Sequence, residues 1–430
     1  MRYCARCFYP ENAKPTIIFD EEGVCSGCRY HESRSKLEVD WDKRVLMFER
    51  IVEEMRRMKL ARGNCHDCII PISGGKDSHF QVWLLKKQYG LNPLLVTFNH
   101  AYNSPAGLRN LENLIEKSGC DHIRYSAGLD SVRRISRLML ETVGDLTWHY
   151  HAGIRTFPFQ VAVNYNIPFV VWGEHGFAEL TGIVSLEDFV EFTRWTRKEH
   201  DMRGYEPSDL IGKNGITNAD IAPYIYPSDE EIERCEIRGI YLSNFFPWNA
   251  KQQAELMIKE WNFSPVSYDR ERTFNLYAKI EDHANDVHDY LKYLKFGYGR
   301  ATDDASMEVR HGRMTREEGL AMIRHYDVKT PSSLTTYCDF LDININDFYQ
   351  LAAPMRDTSI WQRNKDGKWE FSDAVWLHTI DTAEELQRVP QVVDRTLGAA
   401  NRHLYYNPAN PPLATGNPAL DIKPLSFKIS

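Results

Sequence analysis

Cys4, Cys7, Cys25 and Cys28 form two C-x2-C pairs with seventeen residues between them. Four thiolates at that spacing suit a closed tetrahedral Zn²⁺ shell, which fastens a module too small to bury its own core and leaves no open position for chemistry. A second group, Ser73-Gly74-Gly75-Lys76-Asp77-Ser78, follows the apolar run Cys68–Ile72 and precedes an amphipathic stretch from His79 to Tyr89. It has neither the GxxxxGK[ST] spacing nor the three-glycine dinucleotide pattern. Two glycines let backbone N–H groups approach an anion, Ser73 and Ser78 add hydroxyls, and the following helix turns its positive end to the same point. Lys76 can meet charge developing on a phosphate, and Asp77 can hold Mg²⁺ or orient the loop. The plainer alternative is a strand-to-helix turn bent by glycine and capped by Asp and Ser.

Four further groups could act beside these. Gly173-Glu174-His175 ends the apolar run FVVW, where glycine permits close ligand approach and Glu174 can bind Mg²⁺ or position an amine. The stretch Lys295 to Arg300, with Asp303, Asp304 and Arg310, crowds glycines, cations and carboxylates together, and Arg300 is the candidate for bidentate recognition of phosphate or carboxylate. His149 and His151 have the chemistry of bases, although histidines so placed are more often structural. Cys65-x2-Cys68 raises sulfur chemistry, but Cys68 opens a buried strand, where a small apolar thiol is ordinary.

These groups need a scaffold. Strand and helix signals alternate: Pro93–Phe98 as strand, Leu108–Ser118 as helix, His122–Tyr125 as strand, Ser131–Val143 and Phe157–Asn164 as helices, Phe169–Trp172 as strand. The rhythm predicts an α/β fold with a doubly wound parallel sheet, whose ligands sit beyond the carboxyl ends of the strands. Five units are expected. Residues 1–40 form the zinc knuckle and 41–185 the nucleotide core, entered through a helix over Trp41–Leu60. Residues 186–250 break the rhythm as an insertion or lid, 251–355 form a largely helical region completing the site, and 356–430 are a C-terminal extension, Pro-rich after Asn407. A net charge of −8, with 43% hydrophobic and 26% charged residues, gives an ordinary globular enzyme without the broad basic face of a nucleic-acid binder. No run reaches the roughly 18 apolar residues of a membrane span or resembles a signal peptide, so a cytoplasmic location is expected.

SGGKDS after an apolar strand resembles the PP-loop motif (SGGxDS) of the ATP-pyrophosphatase superfamily, whose members cleave ATP between the α- and β-phosphates and adenylate an oxygen. The resemblance implies a PP-loop, HUP-like sheet with adenine read near Val96, Thr97 and Phe98, and with Gly153 and Gly173 at the nucleotide. Four stretches go further: CARCFYPENAKPTIIFDEEGVCSGC, CIIPISGGKDS, TFNHAYNSPAGLRNLENLIEKSG and KFGYGRATDDASMEVRHGRMTREEG. They are similar to the N-acetyl sugar amidotransferase (WbpG/PseA-type) family, and the similarity spans residues 1 to about 350. It implies a UDP- or CMP-linked diacetamido sugar whose N-acetyl group becomes an acetamidine in O-antigen or nonulosonate biosynthesis. It also implies ammonia from a separate glutaminase and a cyclase-like channel subunit. Two rivals remain. One is a tRNA-thiolating PP-loop enzyme, although WHYHAGI (148–154) stands where those proteins often carry a further cysteine pair. The other is a non-catalytic zinc-stabilised scaffold.

Overall fold

Five parallel strands carry the molecule's central cleft. They are β1 (Ile69–Pro71), β2 (Leu94–Asn99), β3 (His122–Ser126), β4 (Phe169–Trp172) and β5 (Arg238–Tyr241), paired in the order β3-β2-β1-β4-β5. The computed structural model describes residues 1–35, 39–185, 187–378 and 404; the Pro-rich tail after Asn407 lies outside them. Register is fixed by pairs such as Ile70↔Leu95, Val96↔Ile123 and Val170↔Gly239.

Seven helices frame the sheet and its N-terminal module: α1 (Ser26–Ser35), α2 (Trp41–Ala61), α3 (Lys76–Trp83), α4 (Pro105–Ser118), α5 (Leu129–Val143), α6 (Trp148–Tyr165) and α7 (Gly176–Thr181). Ile70, Leu95, Val171 and Ile240 pack against Phe48 and Val52 of α2 on one face. On the other, Ile69, Val96 and Val170 meet Phe159 and Ala162 of α6. Coverage of both faces explains why these strands read as continuous apolar runs rather than alternating ones. Helix α4 shows how local sequence sets its bounds. Ser104 accepts the Gly107 N–H at 2.9 Å as N-cap, Pro105 opens the first turn, and Gly119 closes it at φ 59°.

Two expectations change. Helix α6 begins at Trp148, well before Phe157, because His149, Tyr150, Ala152 and Gly153 are all buried and the helix has no polar stripe to give a period. Within residues 186–250, the short strand β5 returns to the sheet, with the Phe192 N–H donating to Gly239 O at 2.8 Å. The stretch expected as an insertion or lid therefore contributes an edge strand of the sheet.

Beyond the sheet, Val287, Leu291 and Leu294 of the helix Ala284–Phe296 pack with Leu334, Tyr337 and Leu341 of the helix Ser333–Leu341. Trp361–Arg363 and Trp369–Phe371 add an antiparallel ribbon in the expected extension. Residues 262–283, between the helices Ala250–Trp261 and Ala284–Phe296, form an irregular strap. It lies along the entry to α4: the Ser104 N–H donates to Glu281 O at 3.0 Å, and the His283 N–H to Tyr102 O at 2.9 Å.

Candidate functional site

The loop Ser73–Ser78 leaves β1 beside β4, where strand order reverses and open α/β sheets bind their ligands. It is internally tied. Ser78 Oγ accepts the Ser73 N–H at 3.0 Å, and Ser73 Oγ accepts the Gly75 N–H at 3.3 Å. Gly74 sits at φ 89°, and a Cβ there would stand 2.8 Å from Leu111 N and 2.9 Å from Gly107 O of α4. Both the backbone conformation and the close approach of α4 require glycine. His79 Nδ1 donates to Gly75 O at 3.0 Å, and burial lowers its pKa to about 4, so it props the loop as a neutral ring.

Charge converges at the loop's end. Lys76 is buried, with its ammonium 2.5 Å from Asp77 Oδ1. Burial opposes that cation, but Asp77, Glu174 and Glu281 outweigh it and hold its pKa above the ordinary lysine value. Glu174, just past β4, is pushed up to about 7 by burial and by Asp77, with Lys76 pulling back. Two carboxylates facing one buried lysine form a group short of positive charge, which Mg²⁺ or a cationic substrate centre would relieve.

Glu281 is a member of this site that the sequence did not announce. Its Oε1 accepts the Ser73 hydroxyl at 3.1 Å, and its Oε2 is buried without a hydrogen-bond partner among the described residues. The strap presses close: a Cβ on Gly75 would lie 2.8 Å from Glu281 Oε1, and one on Gly107 2.5 Å from Glu281 Cα. Lys279, exposed at φ 55°, acts electrostatically on Glu174, His100 and His151. The available signal was the aperiodic length of residues 262–283, since long irregular segments in compact domains are commonly functional.

Other expected residues take different places. The Val96 carbonyl accepts the Ile72 N–H at 2.9 Å, and the Thr97 hydroxyl donates to Ile72 O at 2.9 Å, so both are engaged within the sheet. The Phe98 ring is buried among Tyr125, Phe157 and Tyr224, and Gly153 meets its face with no room for a Cβ. Val96, Phe98 and Gly153 thus form the joint between β2 and α6. Gly173 faces Gln81 and Trp248 as closely. Arg300 grips Asp289 at 2.9 and 3.0 Å and has Asp303 at 3.5 Å. His149 receives the Ser136 hydroxyl at 3.2 Å and donates to His100 O at 3.3 Å, while burial lowers its pKa to about 4. His151 is lowered by burial too. Cys65 is exposed and Cys68 buried, and burial raises the Cys68 thiol pKa, so Cys68 is not placed as an activated thiolate.

The four N-terminal cysteines come together. Cys4 and Cys28 Sγ are 3.9 Å apart, Cys7 and Cys25 Sγ 3.6 Å, and all four sulfurs lie within 4.8 Å of one another. Zn–S bonds of about 2.3 Å give a tetrahedral edge of about 3.8 Å, so this donor set fits one ion; an iron–sulfur cubane would place each thiolate on its own iron. Cys4 Sγ accepts N–H groups from Arg6, Cys7 and Cys25 at 3.4, 3.4 and 3.2 Å, and the Arg310 guanidinium reaches Cys7 and Cys25 Sγ at 3.8 and 3.6 Å. The knuckle is fastened to α7, directly after Glu174. Ser26 Oγ donates to Thr181 O at 2.5 Å, and Arg34 pairs with buried Glu179.

Residues 271–375 match the family model described as the C-terminal domain of WbpG-like LPS biosynthesis proteins. That segment carries Lys279 and Glu281. An uncharacterized protein of Methanocaldococcus jannaschii is 26% identical over 156 residues, covering 34% of this chain and 54% of the relative. The chain thus spans about half the length of that curated relative. Three solved structures give low-scoring superpositions. NMN synthetase from Francisella tularensis is 14% identical, with 46% of this chain and 92% of that one covered and a TM-score of 0.25. NH3-dependent NAD synthetase from Campylobacter jejuni is 11% identical, with the same coverages and a TM-score of 0.25. The U34-tRNA thiolase NcsA from Methanococcus maripaludis, described with a [4Fe-4S] cluster, is 14% identical, with 61% and 83% covered and a TM-score of 0.21. At such scores, the fold is read from the strand order and the loop themselves.

Proposed function

We propose that this chain is an ATP-dependent amidotransferase of the PP-loop type, converting the N-acetyl group of a nucleotide-linked diacetamido sugar to an acetamidine. The observation that carries the reading is the Ser73–Glu281 hydrogen bond, which joins the phosphate-cradle candidate to the segment matching the WbpG-like domain. That domain's description, LPS biosynthesis, supports a sugar as substrate.

ATP docks with its phosphates over Ser73, Gly74, Gly75 and Ser78. The acetamido oxygen attacks the α-phosphorus, and pyrophosphate leaves. Ammonia adds to the imidate carbon, and AMP departs with the former acetyl oxygen. Lys76 offsets charge on the phosphates, and Glu174 in its ionised form holds the incoming amine. Asp77 and Glu174 fit Mg²⁺ as hard oxygen donors, and the ion would neutralise phosphate charge. The strap and the sheet edge together exclude water that would hydrolyse the adenylate. The knuckle holds Zn²⁺ structurally. Ammonia comes from a partner glutaminase through a cyclase-like channel subunit, and the reaction belongs to the cytoplasm. No helix among the described residues is long and apolar enough to cross a membrane.

The test incubates purified protein with ATP, ammonium chloride and a panel of UDP- and CMP-linked diacetamido sugars. AMP and pyrophosphate, with product in which NH replaces one acetamido oxygen, are expected. AMP formation triggered instead by unmodified tRNA with a sulfur donor would select the thiolation chemistry.

A further inference from the structure

A cavity of about 420 Å³ opens where the knuckle, the stretch 186–250 and the C-terminal helices meet. Four cations line it from three separate parts of the chain: Lys14, Arg203, Lys292 and Lys295. Such convergence is unexpected in a protein of net charge −8. Two of the four are already matched, Arg203 by Asp145 at 3.1 Å and Lys292 by Asp303 at 2.7 Å. Lys14 is exposed on the rim. Lys295 donates only to the carbonyls of Val143 and Gly144, at 3.1 and 3.2 Å, and has no carboxylate within ion-pair distance among the described residues. Burial accordingly lowers its pKa to about 8. Asp145 acts on this part-buried ammonium without touching it and is already paired with Arg203, so an arriving anion would supply the contact partner that Lys295 lacks.

The cavity also has flat walls. Phe177 and His200 pack at a tilt with ring centroids 4.9 Å apart, and Phe296 lies under the Lys295 ammonium at 5.1 Å. Phe177 lies on α7, just past Glu174, so this cavity adjoins the strand-end cleft. Cations grouped beside aromatic rings suit a diphosphate attached to a planar base.

We propose that this cavity binds the nucleoside diphosphate end of the substrate, directing the sugar toward Glu174 and the Ser73 loop; the proposal rests on the amidotransferase reading. Lys14 and Lys295 take the diphosphate oxygens, and the base lies against Phe177. UDP is the probe, measured by calorimetry on the full-length protein holding a non-hydrolysable ATP analogue, with wild type, Lys14→Glu and Lys295→Met compared. UDP should bind alongside the analogue. Each variant should weaken UDP roughly 10-fold or more, as loss of a charged hydrogen bond does, while analogue affinity and thermal stability hold, and Lys14→Arg should restore binding. Competition between UDP and the analogue, absent UDP binding, or wild-type UDP affinity in either variant would overturn the assignment. Its failure is separable from that of the reaction. Ammonia-dependent AMP formation with variant-indifferent UDP binding removes the cavity alone, whereas UDP bound here with no AMP formed from any sugar removes the amidotransferase.

Discussion

Replacing Glu174 with glutamine should make the protein more stable at alkaline pH and leave it unchanged in acid. Burial and Asp77 raise the Glu174 carboxyl from its ordinary value of 4.5 to about 7 in the folded chain. Below pH 4.5, it is protonated in both folded and unfolded states and contributes no difference. As pH climbs from there to about 7, the unfolded chain releases the proton while the folded chain retains it, so stability falls with rising pH. At about 1.36 kcal/mol per unit, a shift of about 2.5 units costs about 3 kcal/mol, complete above pH 7. Glu174→Gln removes that cost. With an unfolding entropy of about 2.1 cal/mol/K per residue, the gain corresponds to roughly 3–4 °C in Tm at pH 8 and none at pH 4. Scanning calorimetry of both proteins across pH 4 to 9 measures the difference, and Mg²⁺ should narrow it by stabilising the ionised wild type. Parallel Tm curves for the two proteins would refute the electrostatic account of the Glu174–Asp77–Lys76 group.

Gly74→Ala should lose ATP-analogue binding and about 2 kcal/mol or more of stability, from left-handed strain of about 1–2 kcal/mol plus collision with the α4 main chain. Gly75→Ala meets only side chains, the Glu281 carboxylate at 2.8 Å and Ser73 Oγ at 3.4 Å, and should keep its Tm; equal losses in the pair would contradict this. Arg300→Ala strands buried Asp289 and should cost about 3–5 kcal/mol in denaturant unfolding, so a loss below about 1 kcal/mol would argue against a structural pair. Stripping metal from the knuckle, or Cys7→Ser, should raise hydrogen exchange in residues 176–182, because α1 anchors α7 through Ser26 and Arg34. Unchanged exchange there would uncouple the knuckle from the site.

The scaffold was legible where chemistry was local. The glycine loop announced itself because a phosphate cradle needs glycines and a helix start in sequence, and the cysteine pairs because one ion needs both pairs. Strand β4 was found at its bounds since FVVW is short, apolar and ended by glycine. Strand β5 escaped because its four residues sit in an irregular stretch, and α6 was shortened because burial on every side erased its period. Glu281 and the cavity cations escaped for another reason. Their partners lie far along the chain, as Ser73 does from Glu281, and no spacing rule records tertiary convergence of that kind. Arg300 shows the converse: a residue type suited to phosphate, turned inward by the carboxylates beside it.

Oxygen-isotope transfer tests the proposed chemistry most directly. A nucleotide-linked sugar carrying a heavy oxygen isotope in its acetamido carbonyl is turned over with ATP and ammonium, and the released AMP is analysed by mass spectrometry. Attack of that oxygen on the α-phosphorus predicts that the label appears in AMP and that the amidine product carries none. Amidine formation with unlabelled AMP, or ADP in place of AMP, would contradict adenylation at the Ser73 loop.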